Sequence, residues 1–399
     1  MPEYNSPGVF VEEVPSGNSP IQGAGTSTAG FIGVYSLPSP LAAPFTTASK
    51  LAKDGQVVLC TNFTEFTNAF GGFVVPESFP DAARHSHLVH AVYGFFNNGG
   101  TRCFVTRAKD TAGLIAALTA FEAKDEISIV VSPGTTDDAS AEAIITHCNR
   151  MQDRVAVLDV PETGAAPTEP PVLSKDNTKL RRSHFIAYYH PWIEVFDPEV
   201  TDKDTGKKGA ARFVPPSGHV AGIYARVDAT RGVHKAPANE PVFGALGLRW
   251  PVSSRIQDGL NSEGINCIRE MNGSIRVWGA RTRADDTHKE FTYVNVRRLF
   301  SFLYDSLQDG LQWTVFEPNT PDLWGRITRN VTSFLTTVWA AGALFGSRPE
   351  DAFYVKCDAE LNPPAQRDRG RVITEIGVAI VRPAEFVVIR LGQWAGPSK

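Results

Sequence analysis

No stretch of the 399-residue chain approaches the roughly 20 consecutive apolar residues that a membrane-crossing helix needs. The opening Met1-Pro2-Glu3-Tyr4 lacks the basic-then-apolar pattern of a secretory leader, so synthesis in the cytoplasm is expected. Cysteine is scarce. Cys60, Cys103, Cys148, Cys267 and Cys357 are scattered, odd in number and free of CxxC spacing. That argues against a disulfide framework and a cysteine zinc site. A basic excess is also missing. With 39 Lys+Arg against 43 Asp+Glu the net charge is -4, which argues against a nucleic-acid partner. There is no GxxxxGK[ST] loop, no GxGxxG after a strand and no HExxH, so no cofactor is expected.

What is present is an ordinary folded composition, 42% hydrophobic and 21% charged. At about 100–200 residues per domain, the length predicts two to four domains. From about residue 25 to 270 the pattern is α/β. Apolar runs at 103–106, 127–131, 155–160 and 185–189 read as strands covered on both faces. Helical stretches at 82–97, 111–123 and 137–150 lie between them, the last with Asp137 or Asp138 as its N-cap. This alternation predicts a mainly parallel sheet. Residues 161–182 and 197–218 read as surface loops or a small excursion. Residues 271–383 change to α+β. Strands are expected at 274–278, 312–316, 353–357 and 372–381, with helices at 295–309 and 321–345.

Both ends are distinctive. The chain has 34 Gly and 28 Pro, many of them near its termini. Val9-Phe10-Val11 is a short strand-like run beside Pro7, Gly8, Pro15 and Gly17. Phe386-Val387-Val388-Ile389 is strand-prone between Pro383 and Gly392. Such strands have no nearby partner in the sequence and need a sheet to join.

Candidates for chemistry reduce to structural roles. His85, His87 and His90 fall in one helix as HxHxxH, and packed or solvated histidines are expected there, with no metal. Gly25-Thr26-Ser27-Thr28-Ala29 resembles the segment around a subtilisin-type nucleophile. Gly218-His219-Val220-Ala221-Gly222 resembles the segment that follows such a nucleophile. Val214 stands where the serine would be, and no base histidine accompanies it, so no catalytic residue is expected. Asp137-Asp138 reads as a helix cap and Asp285-Asp286 as a solvated turn. Arg181-Arg182 and Arg297-Arg298 read as salt-bridge partners across protein interfaces.

Taken in order, several segments resemble the contractile tail sheath family. They are 4–13 (YNSPGVFVEE), 95–100 (FFNNGG), 215–222 (PPSGHVAG), 228–239 (DATRGVHKAPAN), 261–270 (NSEGINCIRE), 278–282 (WGART), 296–298 (VRR), 316–319 (FEPN) and 381–386 (VRPAEF). The resemblance runs nearly end to end. It implies an α/β, subtilisin-like but catalytically inert domain, followed by a C-terminal α+β sheath domain. Extended N- and C-terminal β arms complete the chain. Its expected bounds are arm 1–24, α/β domain 25–270 with an excursion near 161–213, α+β core 271–383 and arm 384–399. The resemblance implies a structural subunit, not an enzyme, that polymerises around an inner tube and contracts to drive it through a target envelope. A degenerate subtilisin-like hydrolase, or another self-assembling tail or baseplate shell protein, are the alternatives.

It further implies that strands Val9, Phe10, Val11, Glu12 and Phe386, Val387, Val388, Ile389 join neighbouring subunits. Pro7, Gly8, Pro15, Gly17, Pro383 and Gly392 would serve as hinges. The implied partners are the chain itself, the inner tube, baseplate and terminal cap proteins, and sheath paralogues. No nucleic acid and no membrane insertion are implied. The setting is a phage tail or phage tail-like injection particle. A single chain carrying both terminal signatures fits the phage-like or extracellular branch better than a sheath split between two chains.

Overall fold

The computed structural model describes residues 20–37, 51–74, 79, 81–162, 180–201, 206, 208–386 and 388. In chain order the first elements are β1 (Ala29–Val34), β2 (Val58–Cys60), α1 (Phe63–Phe70), α2 (Ala82–Asn97), β3 (Cys103–Ala108), α3 (Thr111–Glu122), β4 (Ile129–Val131), α4 (Asp138–Met151) and β5 (Val155–Asp159). There follow β6 (Ile186–His190), β7 (Ile193–Thr201), β8 (Lys208–Val214), α5 (Ser217–Arg231), β9 (Glu240–Pro241), β10 (Ala245–Leu248), α6 (Ser254–Ser262), β11 (Ile265–Met271) and β12 (Ser274–Val277). The last part holds α7 (Val294–Gly310), α8 (Pro321–Ala340), β13 (Phe353–Lys356) and β14 (Glu375–Val378).

Nine strands form the main sheet in the order β2-β3-β1-β4-β5-β6-β11-β12-β9. The six from β3 to β11 are parallel, and the outer β2, β12 and β9 are antiparallel additions. Every residue of β3, β5 and β6 is buried, as the unbroken apolar runs require when helices cover both faces. Asp110 and Asp137 accept hydrogen bonds from Gly113 N and Ser140 N, capping α3 and α4 as their positions predict. Helix α5 is buried on nearly every side, so its sequence shows no polar face. Its Gly218 and Gly222, one turn apart, let it cross α2 at backbone distance. A Cβ on Gly218 would lie 2.4 Å from the Ala91 backbone, and one on Gly222 2.4 Å from Phe95 O. Gly218 and Gly222 of the protease-like segment are thus packing glycines.

Of the two readings of 197–218, the described residues fit the excursion rather than the loop. They hold the end of β7, then β8 and the start of α5, and β10-β7-β8 form a separate three-stranded antiparallel sheet. The inward position that would advertise the strand is Asp197, buried as a carboxylate, so the apolar alternation breaks where a strand signal is needed. Residues 312–316 likewise do not make a strand. Gln312–Thr314 is a 3₁₀ turn, and Phe316 is 102% exposed at φ 69°. Arg326 lies over the Trp313 ring at 5.0 Å, and tertiary contact overrides the β-prone composition.

Two hydrophobic clusters result. The larger fills both faces of the main sheet. The smaller is built by α7, α8 and β13, with the stripe Leu323, Ile327, Val331, Phe334, Leu335 and Val338 that the helical spacing predicts. Ile21 belongs to this second cluster, so the N-terminal segment is already bound to the C-terminal unit before β1 begins.

Candidate functional site

Helix α7 joins the two clusters, and its Arg297-Arg298 pair makes the joint. Arg298 donates from Nη1 to Asp228 Oδ1 at 2.9 Å and from Nη2 to Asp228 Oδ2 at 2.5 Å. Nη2 also donates to Thr26 O at 2.8 Å, and Thr26 Oγ1 donates to Asp228 Oδ2 at 2.7 Å. Arg297 has no carboxylate partner among the described residues and lies 4.5 Å over both the Phe185 and Phe291 rings. Burial alone lowers its pKa to about 10, still far above neutral pH. Both arginines are buried within one chain, which corrects the reading of them as subunit-interface charges. Arg181 and Arg182 also pair internally, with Asp138 and Glu263. The sequence signal available was the spacing itself, since two adjacent arginines inside an apolar helical stripe point to a buried joint.

The protease echoes resolve into scaffolding. Ser217 N and Oγ donate to Asp159 at 2.9 and 2.7 Å, and Gly134 N donates to the same carboxyl at 3.0 Å. Burial raises the Asp159 pKa to about 6, and these hydrogen bonds hold it back from rising further. The carboxyl therefore caps the N-terminus of α5 from the end of β5. His219 faces Gly94 of α2, and Ser27 lies in the loop leading into β1. The three clustered histidines diverge. His85 Nε2 meets Phe70 O at 3.0 Å, His87 meets the Trp192 ring edge-on, and His90 Nε2 meets Asp197 Oδ2 at 3.0 Å. Burial would raise the Asp197 pKa, but its contacts with His90, Glu199 N and Arg212 Nη1 outweigh it and hold the value at about 2. Asp285 sits in an exposed turn with Thr287 and His288, as expected.

The arm roots are more informative. Val9, Phe10, Val11, Glu12, Pro7, Gly8, Pro15 and Gly17 lie outside the described residues, as do Val387, Ile389 and Gly392. At the N-terminal side, Ala24 N donates to Ser306 Oγ at 2.9 Å, and Ile21 packs on Gly310. At the C-terminal side, residues 343–345 run antiparallel to 379–381, through the Leu344–Ile380 bridge and the Phe345 N to Ala379 O bond. Pro383 follows. Glu385 is then clasped by four donors. Arg281 Nε and Nη2 donate at 2.9 and 2.7 Å, Asn261 Nδ2 at 2.9 Å and Tyr293 OH at 2.8 Å. Burial would raise the Glu385 pKa, but these bonds win and hold it below the ordinary carboxylate range. Phe386 and Val388 just beyond are exposed.

The clasp borders a cavity of about 830 Å³. Its walls come largely from four of the segments singled out in the sequence, 228–239, 261–270, 278–282 and 381–386, with Ser254, Gln257 and Asp258 of α6 and Tyr293 completing them. Just upstream of Val381 in the chain, β14 pairs with β13 in a sheet of only two strands, with Phe353 opposite Val378 and Lys356 opposite Glu375. Among the described residues neither strand has a partner on its outer side. Two-stranded sheets are marginal alone, and open edges invite further strands.

Comparison with known proteins agrees with this layout. Residues 108–283 match the phage tail sheath protein central domain, and residues 286–392 match the phage tail sheath C-terminal domain. A prophage major tail sheath protein of Pseudomonas aeruginosa is 27% identical over 305 residues, covering 73% of this chain and 72% of that protein. The sheath of the extracellular contractile injection system PVC, in its contracted state, superposes with a TM-score of 0.76 at 26% identity, covering 99% of both chains. A chain from the anti-feeding prophage baseplate superposes with a TM-score of 0.73 at 28% identity, covering 98% of this chain and 99% of that one.

Proposed function

This chain belongs to the contractile tail sheath family and is a structural subunit of a contractile sheath, and from that premise we propose that it polymerises by exchanging its two terminal arms. The observation that carries this is the two-stranded β13–β14 sheet, with no outer partner among the described residues, next to the root of the C-terminal arm. In this reading Val9, Phe10, Val11 and Glu12 of one neighbour, and Phe386, Val387, Val388 and Ile389 of another, extend that sheet. Main-chain hydrogen bonds then supply affinity, and alternate side chains supply specificity. Each bond contributes about 0.5–1.5 kcal/mol net, against about 1–2 kcal/mol of backbone entropy per ordered residue. One arm is marginal, so two arms repeated over every subunit hold the mesh by avidity.

Pro7, Gly8, Pro15, Gly17, Pro383 and Gly392 act as hinges that let rigid bodies rotate during contraction while the arms stay paired. The α/β unit is a catalytically inert relative of the subtilisin fold, a reading supported by the buried Ser217–Asp159 contact serving as a helix cap. Contraction draws on free energy stored at assembly and needs no cofactor. The partners are further copies of the chain, the inner tube approached by α7 and α8, and baseplate, cap and paralogous sheath proteins. The working location is a phage tail or phage tail-like particle.

Purified full-length chain is expected to form hollow cylinders with a central channel in negative-stain electron microscopy. Assemblies without a channel would instead favour another type of shell protein. A chain that stays monomeric at every concentration would contradict the proposal.

A further inference from the structure

The cavity beside the Glu385 clasp carries an excess of positive charge. Arg231, Lys235, Arg269 and Arg382 line it against Asp258 and Glu385. Lys235 is paired with Glu240, and Glu385 with Arg281. Arg231 and Arg382 have no anionic partner among the described residues, and Trp278 and Phe386 add apolar wall between the charges. About 830 Å³ is room for a few residues of peptide.

The two ends of the chain differ in charge. Residues 1–19 contain Glu3, Glu12 and Glu13 and no Lys, Arg or His. Residues 387–399 contain Arg390 and Lys399 and no Asp or Glu. Of the two ends, the N-terminal segment is the one that offers side-chain carboxylates to the free guanidinium groups, and its Val9-Phe10-Val11 precedes them as the strand that joins β13–β14, leaving the two glutamates at the end of that strand.

The direction of the chain says which copy provides it. Read backwards from β1, Thr26 sits at Arg298, Ala24 at Ser306 and Ile21 at Gly310. The segment therefore arrives from beyond the C-terminal end of α7. The cavity lies at the other end of that helix, at Tyr293, roughly 25 Å away along 17 residues. Six residues lie between Pro20 and Glu13, giving seven Cα–Cα steps. They span about 25 Å only if fully extended and turned straight back along the helix, which leaves no slack for a reversal of direction.

We propose that this cavity is the seat for Glu12 and Glu13 of the N-terminal arm of a second copy of the chain. The proposal rests on the arm-exchange reading and names the place where one arm docks. Two variants test it. The arm variant carries Glu12→Arg and Glu13→Arg, and the cavity variant carries Arg231→Glu and Arg382→Glu. Each alone should raise the concentration needed for cylinders about tenfold or more, as loss of charge-assisted contacts does. An equimolar mixture of the two should assemble again, because each variant's arm then meets a cavity of opposite sign on the other. One chain carrying all four changes should also assemble, which confirms that the changes leave the fold intact. Assembly of the arm variant at the parent's concentration would overturn the proposal. So would rescue by the fourfold chain without rescue by the mixture, which would place the arm in its own chain's cavity. A chain lacking residues 1–14 separates the two readings. If it forms normal cylinders, arm exchange itself fails. If it does not, while the arm variant assembles normally, only this seat fails.

Discussion

Free subunits should lose about 5 kcal/mol of stability between pH 7.5 and 5.5, most of it through four histidines. His85, His147, His190 and His219 are almost completely buried. Burial is the leading cause in each and lowers their pKa values to about 4, 3, 4 and 3. In the unfolded chain they titrate near 6.5. Their contribution is present above that value and is lost as pH falls towards their folded values, because the unfolded chain takes up protons that the folded one refuses. Each costs about 1.4 kcal/mol per pH unit below 6.5. Asp159 works in the opposite direction. Its raised value of about 6 stabilises the fold at low pH and is lost as pH rises through 6, which offsets somewhat under 1 kcal/mol at pH 5.5. A melting temperature about 10 °C lower at pH 5.5 than at 7.5 is expected, read by scanning fluorimetry. An unchanged value would show that these rings are hydrated or charged in the fold.

The second large effect is expected at the joint between the two clusters. Arg298→Ala and Asp228→Ala should each cost about 3–5 kcal/mol in denaturant unfolding, because each leaves the other charge buried and unpaired. Arg298→Lys should also be costly, since an ammonium cannot hold both Asp228 oxygens and Thr26 O in one plane. The double change should cost less than the sum of the two single ones, because removing both charges leaves neither stranded. A single-variant loss under about 1 kcal/mol would mean that the pair is solvated. Thr26 ties the N-terminal segment to this pair, so a weakened joint should also loosen the root of that arm.

The sequence was most legible where one physical signal governed one element. The unbroken apolar runs of β3, β5 and β6 and the stripe of α8 emerged where their periodicity put them. It misled where a polar group took an apolar place. Asp197 hid β7 because its burial is compensated by His90 and Arg212 from distant parts of the chain. Arg297 and Arg298 read as interface charges because their aromatic and carboxylate partners are far away in sequence. At 312–316 local β propensity had no strand to pair with. The resemblance segments were recognisable one by one, but their meeting around one cavity depends on tertiary folding of 228–239 against 381–386. Glu385, placed in the arm by its position, is held to the body by Arg281, Asn261 and Tyr293.

That clasp dictates where the most direct test of arm exchange should cut. Removal of residues 387–399 leaves Glu385 and its four donors in place, so the body should stay folded. Negative-stain electron microscopy of this truncated chain, beside one lacking residues 1–14, tests the central claim. Arm exchange predicts folded subunits that melt like the parent and form no cylinders. Normal cylinders from either truncated chain would contradict it.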